Sequence, residues 1–144
     1  VKYRIAVALF GAMFAASAAH ARDTINDYPI ESALKSEPGK LDDGVALYFG
    51  DQAHPRVIKS YGSFATNKKT NSFGKSDEAA CQHVFLSAVI ELQARARKEG
   101  GNAVIGIKSN YRNVLRSSAT EFTCGAGAVM AGAALTGEVV TLKQ

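Results

Sequence analysis

Few side chains in this sequence could carry chemistry. They are two cysteines, Cys81 and Cys124, two of the three histidines, His54 and His83, which lie beyond the first 21 residues, and dispersed carboxylates. A zinc or copper ion needs three or four N, S or O ligands converging on it. His54 falls beside Pro55 in a turn and His83 on an outward helix face, so both are weak metal candidates; the expectation is no metal and no cofactor. The cysteines stand 43 positions apart, without the C-x-x-C spacing of catalytic thiols. No G-x-S-x-G elbow presents a serine nucleophile. Asp42, Asp43, Asp77, Glu78 and Glu91 stand where caps, turns and solvated faces place charge. A non-enzymatic protein is expected.

What the cysteines do depends on compartment, and the N-terminus addresses that. Lys2 and Arg4 precede an apolar run from Ile5 to Ala19, and Ala19-His20-Ala21 is an A-x-A cleavage site. This is the pattern of a secretory signal peptide over residues 1–21, cleaved after Ala21. The apolar run is shorter than the roughly 20 residues of a membrane-spanning helix, so no span is expected in the mature form. No cysteine follows it directly to carry a lipid. Val1 reads as an alternative bacterial start, which makes the expected location periplasmic.

In an oxidising space two cysteines usually pair. A bridge between Cys81 and Cys124 would contribute about 4 kcal/mol through loop closure. The alternative is a redox-responsive or metal-binding pair. Loss of Lys2 and Arg4 with the leader leaves 15 basic against 13 acidic residues, so the net charge falls from +4 to +2. That is no footprint for nucleic acid, and none is expected as a partner.

The elements that must position these residues are read from periodicity. Residues 22–43 are polar and aperiodic, an extended N-terminal segment partly ordered against the domain, and residues 44–144 form a single α+β domain. Val45 to Phe49 is a strand closed by Gly50-Asp51, with Val57 to Phe64 as its antiparallel partner. Ala65 to Lys75, with Lys68, Lys69 and Lys75 among Asn, Thr, Ser and Gly, reads as a solvated loop. Ser76-Asp77-Glu78 opens a helix that Gly100-Gly101 ends. At about 100° per residue, Cys81, Val84, Phe85, Ala88, Val89, Leu92 and Ala96 share its inner face. Leu86 and Ile90 project opposite, beside His83 and Arg97. That back face is a candidate interaction surface for an envelope protein, for a sister copy of the chain, or for the N-terminal segment folding over it.

Asn102 to Tyr111 is a strand in which Ala103, Ile105 and Ile107 alternate against Val104, Gly106 and Lys108. In Ala119 to Cys124, Phe122 and Cys124 face the helix, as a bridge to Cys81 requires. The uncharged run from Cys124 to Leu135 is a tightly packed strand, or alternatively an assembly surface. A Thr136-Gly137 turn then leads to a last strand at Val139 to Leu142. The expected fold is α+β, one long helix on a mostly antiparallel sheet, in the order β-β-α-β-β-β.

The stretch EGGNAVIGIKSNYRNV from Glu99 to Val114, followed by a small-residue strand and LTGEVVTL from Leu135 to Leu142, resembles the YbjQ-type heavy-metal-binding domain superfamily. The likeness covers residues 44–142 in element order, and its sharpest part is Gly-Asn-Ala-Val at 101–104. Exported RcsF-like lipoproteins are similar to this fold, and the resemblance implies a bridge from a helix cysteine to a late-strand cysteine, the places of Cys81 and Cys124. This chain lacks the lipid-anchor cysteine and the second cysteine pair of that group. Exported relatives sometimes carry the name of an excinuclease component, but no Gly-x-x-x-x-Gly-Lys-Ser/Thr phosphate loop or zinc-ligand spacing is present. The expected function is an exported binding or assembly module with one disulfide. The alternative is a metal- or redox-responsive envelope-stress protein.

Overall fold

The computed structural model describes residues 22–144, so the expected signal peptide lies outside the described residues. In chain order these form β1 (Thr24–Pro29), α1 (Ile30–Lys35), β2 (Ala46–Phe49), β3 (Val57–Asn71), α2 (Asp77–Glu99), β4 (Ala103–Ser109), a 3-10 turn (Tyr111–Asn113), β5 (Glu121–Ala126) and β6 (Met130–Leu142). One main helix packs on a curled, mostly antiparallel sheet. The expected order lacks two elements, β1 and α1, which the N-terminal segment forms.

Helix α2 follows from its sequence. The Ser76 side chain accepts a hydrogen bond from the Ala79 N–H at 3.1 Å, Asp77 and Glu78 sit in the first turn, and Gly100 closes the helix at φ 87°. Its inner stripe, Cys81 to Ala96, is buried against the sheet. Among the described residues no helix is long and apolar enough to cross a membrane.

Strand β6 is the spine of the sheet. Strand β3 pairs with it from Val57↔Leu142 to Asn71↔Met130. On its other side β4 takes the C-terminal half and β5 takes Gly132 and Ala131. Strand β1 extends β5, and β2 runs parallel to β4. Three local expectations fail here. β2 does not pair with β3, because the parallel place beside β4 is open to it. The polar stretch expected to be a loop continues β3 to Asn71: Thr66 is buried under α2, and Lys68 meets Glu91 of α2 at 2.6 Å. Lysines on this long edge strand, with its bulges near Val57 and Gly62, discourage pairing with another chain. Finally, Gly137 is no turn. It lies inside β6, where a Cβ would come within 2.6 Å of Val104 Cγ1.

The alternation expected in β4 also breaks. Gly106, at φ 58°, forms a bulge that shifts the register between Ile105 and Lys108. Ile107 therefore joins Val104 beneath α2, while Ala103 and Ile105 pack with Val140 and Leu142 in a smaller cluster.

The segment read as extended is folded onto the core. Strand β1 pairs with β5, and α1 packs on α2 with Ile30 and Ala33 buried. Residues 36–45 then form a strap along α2. Glu37 pairs with His83, and the Gln93 side chain bonds the N–H and C=O of Asp42 and the C=O of Val45 at 2.9–3.0 Å. Arg97 holds Asp42 with two bonds of 2.6 and 2.7 Å. His83, Leu86, Ile90, Gln93 and Arg97 are spaced as one helical stripe. Leu86 is consequently not outward but 1% exposed, and Ile90 is half-buried. Of the three occupants considered for this back face, it is the N-terminal segment that lies along it.

The strap carries an acid-sensitive contact. Hydrogen bonds from Arg97 and from the Gly44 N–H bring the Asp42 pKa from 3.8 to about 2. A carboxyl lowered on folding stabilises above its unfolded pKa and loses that contribution as pH falls through the folded value. The strap is expected to loosen between about pH 4 and pH 2. Amide hydrogen exchange at Leu41 to Val45 would report it, and Asp42→Asn should loosen the strap at neutral pH and abolish the acid step.

Candidate functional site: a glycine-floored groove

The site is built where the chain leaves β4. Asn110 donates its N–H to the Ala134 C=O at 2.8 Å, and Arg112 and Asn113 then take left-handed conformations at φ 52° and 61°. Asparagine tolerates that region, whereas arginine there costs about 1–2 kcal/mol. The double reversal lays the Tyr111 ring on Gly125 and Gly132, which face one another across β5 and β6. A Cβ on Gly125 would fall 2.0 Å from Tyr111 Oη, and one on Gly132 would fall 3.4 Å from its Cε2. An aromatic ring replaces the missing side chains of a cross-strand glycine pair. Cys124, Ala131 and Ala133 belong to the core beneath α2, so by strand alternation the glycines and Tyr111 lie on the opposite face of the sheet.

Above this floor runs a groove of about 560 Å³, lined by Asn67 and Lys69 of β3, by Val129 and Met130 at the β5–β6 hairpin, and by Tyr111 and Arg112. A second recess of about 320 Å³ shares Tyr111 and Arg112 and continues toward Ile25 and Val114. Ile25, Val114, Val129 and Met130 are all exposed apolar side chains. The hairpin tip is fixed: the Ser72 N–H and hydroxyl donate to the carbonyls of Val129 and Gly127 at 2.7 and 2.8 Å, and Gly127 N–H donates to Met130 C=O at 2.7 Å.

Cations rim the groove, and most are neutralised within the chain. Arg112 pairs with Asp23, Arg116 with Asp27, and Arg22 with Asp77 at 2.7 Å. The Arg22 hydrogen bond holds the Asp77 carboxyl below its usual range. Lys69 is exposed and has no ion pair or hydrogen bond among the described residues. It stands opposite Gly132 in register, with its Cγ 3.8 Å from where a Gly132 Cβ would be.

The residues singled out from sequence lie elsewhere. Cys81 and Cys124 are bonded, with S–S 2.06 Å and Cα–Cα 5.9 Å, and both are fully buried between α2 and β5. His54 is exposed, its ring edge-on to Tyr48 and Nδ1 2.8 Å from the Pro55 C=O. His83 is on the strap side with Glu37. The two histidines are not brought together, and among the described residues no three His, Cys, Asp or Glu side chains group as a metal ion would need. Sequence reasoning missed the groove. Its traces were the glycines of the small-residue run and the Asn110 to Asn113 connection.

The Tyr111 contact makes a specific prediction. Gly125→Ala should cost about 1–3 kcal/mol by urea denaturation, because the ring must be displaced. In a Tyr111→Ala background the same change should cost nothing or stabilise, since alanine suits a strand better than glycine.

No protein-family model, curated protein or solved structure matches this chain.

Proposed function

We propose that this chain is an exported, non-enzymatic binding module, stapled by one disulfide, that takes a component of the cell envelope on the sheet face opposite α2. The observation that carries this reading is the groove around Tyr111: a preformed apolar trough held in place by two left-handed residues. Strained backbone of this kind persists where surrounding structure over-determines it, often at binding sites. The volume falls within the roughly 300–1,000 Å³ of small-molecule sites. The helix back face, by contrast, is largely taken up by the strap, which removes Leu86 from any partner's reach.

The metal- or redox-responsive alternative draws less support. Both sulfurs are 0% exposed, and a regulatory thiol needs access. Kinship with YbjQ-type and RcsF-like domains is supported by the helix-to-late-strand position of the bridge.

Site-specific photocrosslinking in the native envelope tests the reading. A photoreactive residue at Val129 or Met130 should give discrete adducts, and one at Ile90 should not. Adducts from Ile90 alone would move the binding surface back to the helix and overturn it.

A further inference from the structure

We infer that the groove binds a free single-chain anionic amphiphile, an unbranched acyl or alkyl chain ending in one carboxylate or phosphate. The inference rests on the binding-module reading and adds the chemistry of the ligand.

The floor selects against a peptide. Gly125 and Gly132 lie inside the sheet, flanked by β1 beyond β5 and by β3 beyond β6, so their backbone groups face paired strands rather than an open edge. A peptide lying over these two glycines would find no main-chain ladder to extend, because the open edges of the sheet are those of the flanking strands β1 and β3. The floor instead offers flat hydrocarbon and a phenol ring. Tyr111, Val129 and Met130 supply apolar contact, and methionine adapts to a flexible chain. Tyr111 and Arg112 line both recesses, and the second places the exposed apolar side chains of Ile25 and Val114 beside the first.

The head group follows from charge. Arg22 and Arg112 already hold Asp77 and Asp23, whereas Lys69 brings an uncompensated ammonium to the rim beside the floor. Asn67, two residues earlier on the same side of β3, adds an amide donor to the same wall. An anion seated there completes a charge-assisted pair that the protein itself leaves open. Gly125 and Gly132 are buried beneath the Tyr111 ring, so the ring and the side chains around it, not the glycines, meet the ligand.

Calorimetric titration of the disulfide-intact chain 22–144 with oleate, below its critical micelle concentration, is expected to show saturable one-to-one binding. Oleyl alcohol should bind more weakly, and phosphatidylglycerol vesicles not at all. Lys69→Gln should weaken oleate by about tenfold or more while leaving oleyl alcohol unchanged. Val129→Asp, at an exposed position that does not threaten folding, should weaken both. Absence of saturable oleate binding, equal loss of acid and alcohol in Lys69→Gln, or binding to vesicles alone would each overturn the inference. Protein adducts at Val129 without oleate binding would overturn it and leave the binding-module reading intact; failure of both experiments would remove both.

Discussion

Removing the Cys81–Cys124 bridge, by Cys81→Ala with Cys124→Ala or by full reduction, is expected to lower the unfolding free energy by about 4 kcal/mol. The bridge closes a loop of 43 residues, and chain entropy in the unfolded state sets the magnitude. For a folded chain of this size the loss corresponds to a fall in Tm on the order of 15 °C. Alanine is the appropriate replacement because both positions are fully buried, and a serine hydroxyl there would lack a partner. Thermal and urea melts of oxidised and variant protein give the number directly. A loss under about 1 kcal/mol would mean that the unfolded chain is already restrained without the bridge. The rate of reduction decides the redox reading at the same time. With both sulfurs buried between α2 and β5, dithiothreitol should reduce the protein only as fast as it opens, and faster as urea is added. Rapid reduction in native buffer with the fold retained would restore a switch.

What could be read from the sequence was local. Helix α2 declared itself through Ser76, its acidic first turn, its 3.6-residue stripe and Gly100, all within one stretch of chain. Simple alternation points Cys124 and Phe122 toward the helix, and they are there. The failures all involve partners distant in sequence. Residues 22–29 looked aperiodic because what makes them a strand is β5, about a hundred residues away, with Thr24 opposite Ala126. Lys68, Lys69 and their polar neighbours looked like a loop because one side of β3 is its open edge and its outer face meets solvent. For Leu86 and Ile90 the sequence left open whether an envelope protein, a sister copy or the N-terminal segment covers them, because the strap along α2 binds through Gln93 and Arg97, polar residues that carry no hydrophobic signal. Gly137 gave a turn signal for the opposite reason: its missing side chain makes room for Val104 inside a continuous strand. The groove was hidden for a further reason. A tyrosine lying on a glycine pair needs two left-handed residues to aim it, and Arg112 gives no hint that it adopts one.

Phe122→Ala is expected to cost about 3–5 kcal/mol, the range for truncating a buried aromatic ring. Phe122 stacks on Phe85 with ring centroids 4.0 Å apart and planes at 17°, and neither ring is more than 2% exposed. Phe85 in turn lies 6.0 Å from Phe49, and Phe122 lies 5.9 Å from Tyr28. The four rings tie β2, α2, β5 and β1 into one stack, so the truncation bares one face of Phe85 and removes the inner support of β1. Phe122→Leu, which fills most of the volume, should cost well under half as much. The position is two residues from Cys124 on the same face of β5, so the ring and the bridge fasten the same strand to the same helix. Loss of both would cost roughly 7–9 kcal/mol if the terms add, against a total of about 5–15 kcal/mol for an ordinary domain. The Phe122→Ala protein is therefore expected to melt at a markedly lower urea concentration when reduced than when oxidised, a contrast that near-ultraviolet circular dichroism reads directly. Because β5 supplies Gly125 to the floor beneath Tyr111, the oxidised variant should also show faster amide exchange along β1 and β5 while α2 stays protected. Equal exchange in all three elements would mean that the aromatic stack does not hold the wall of the groove.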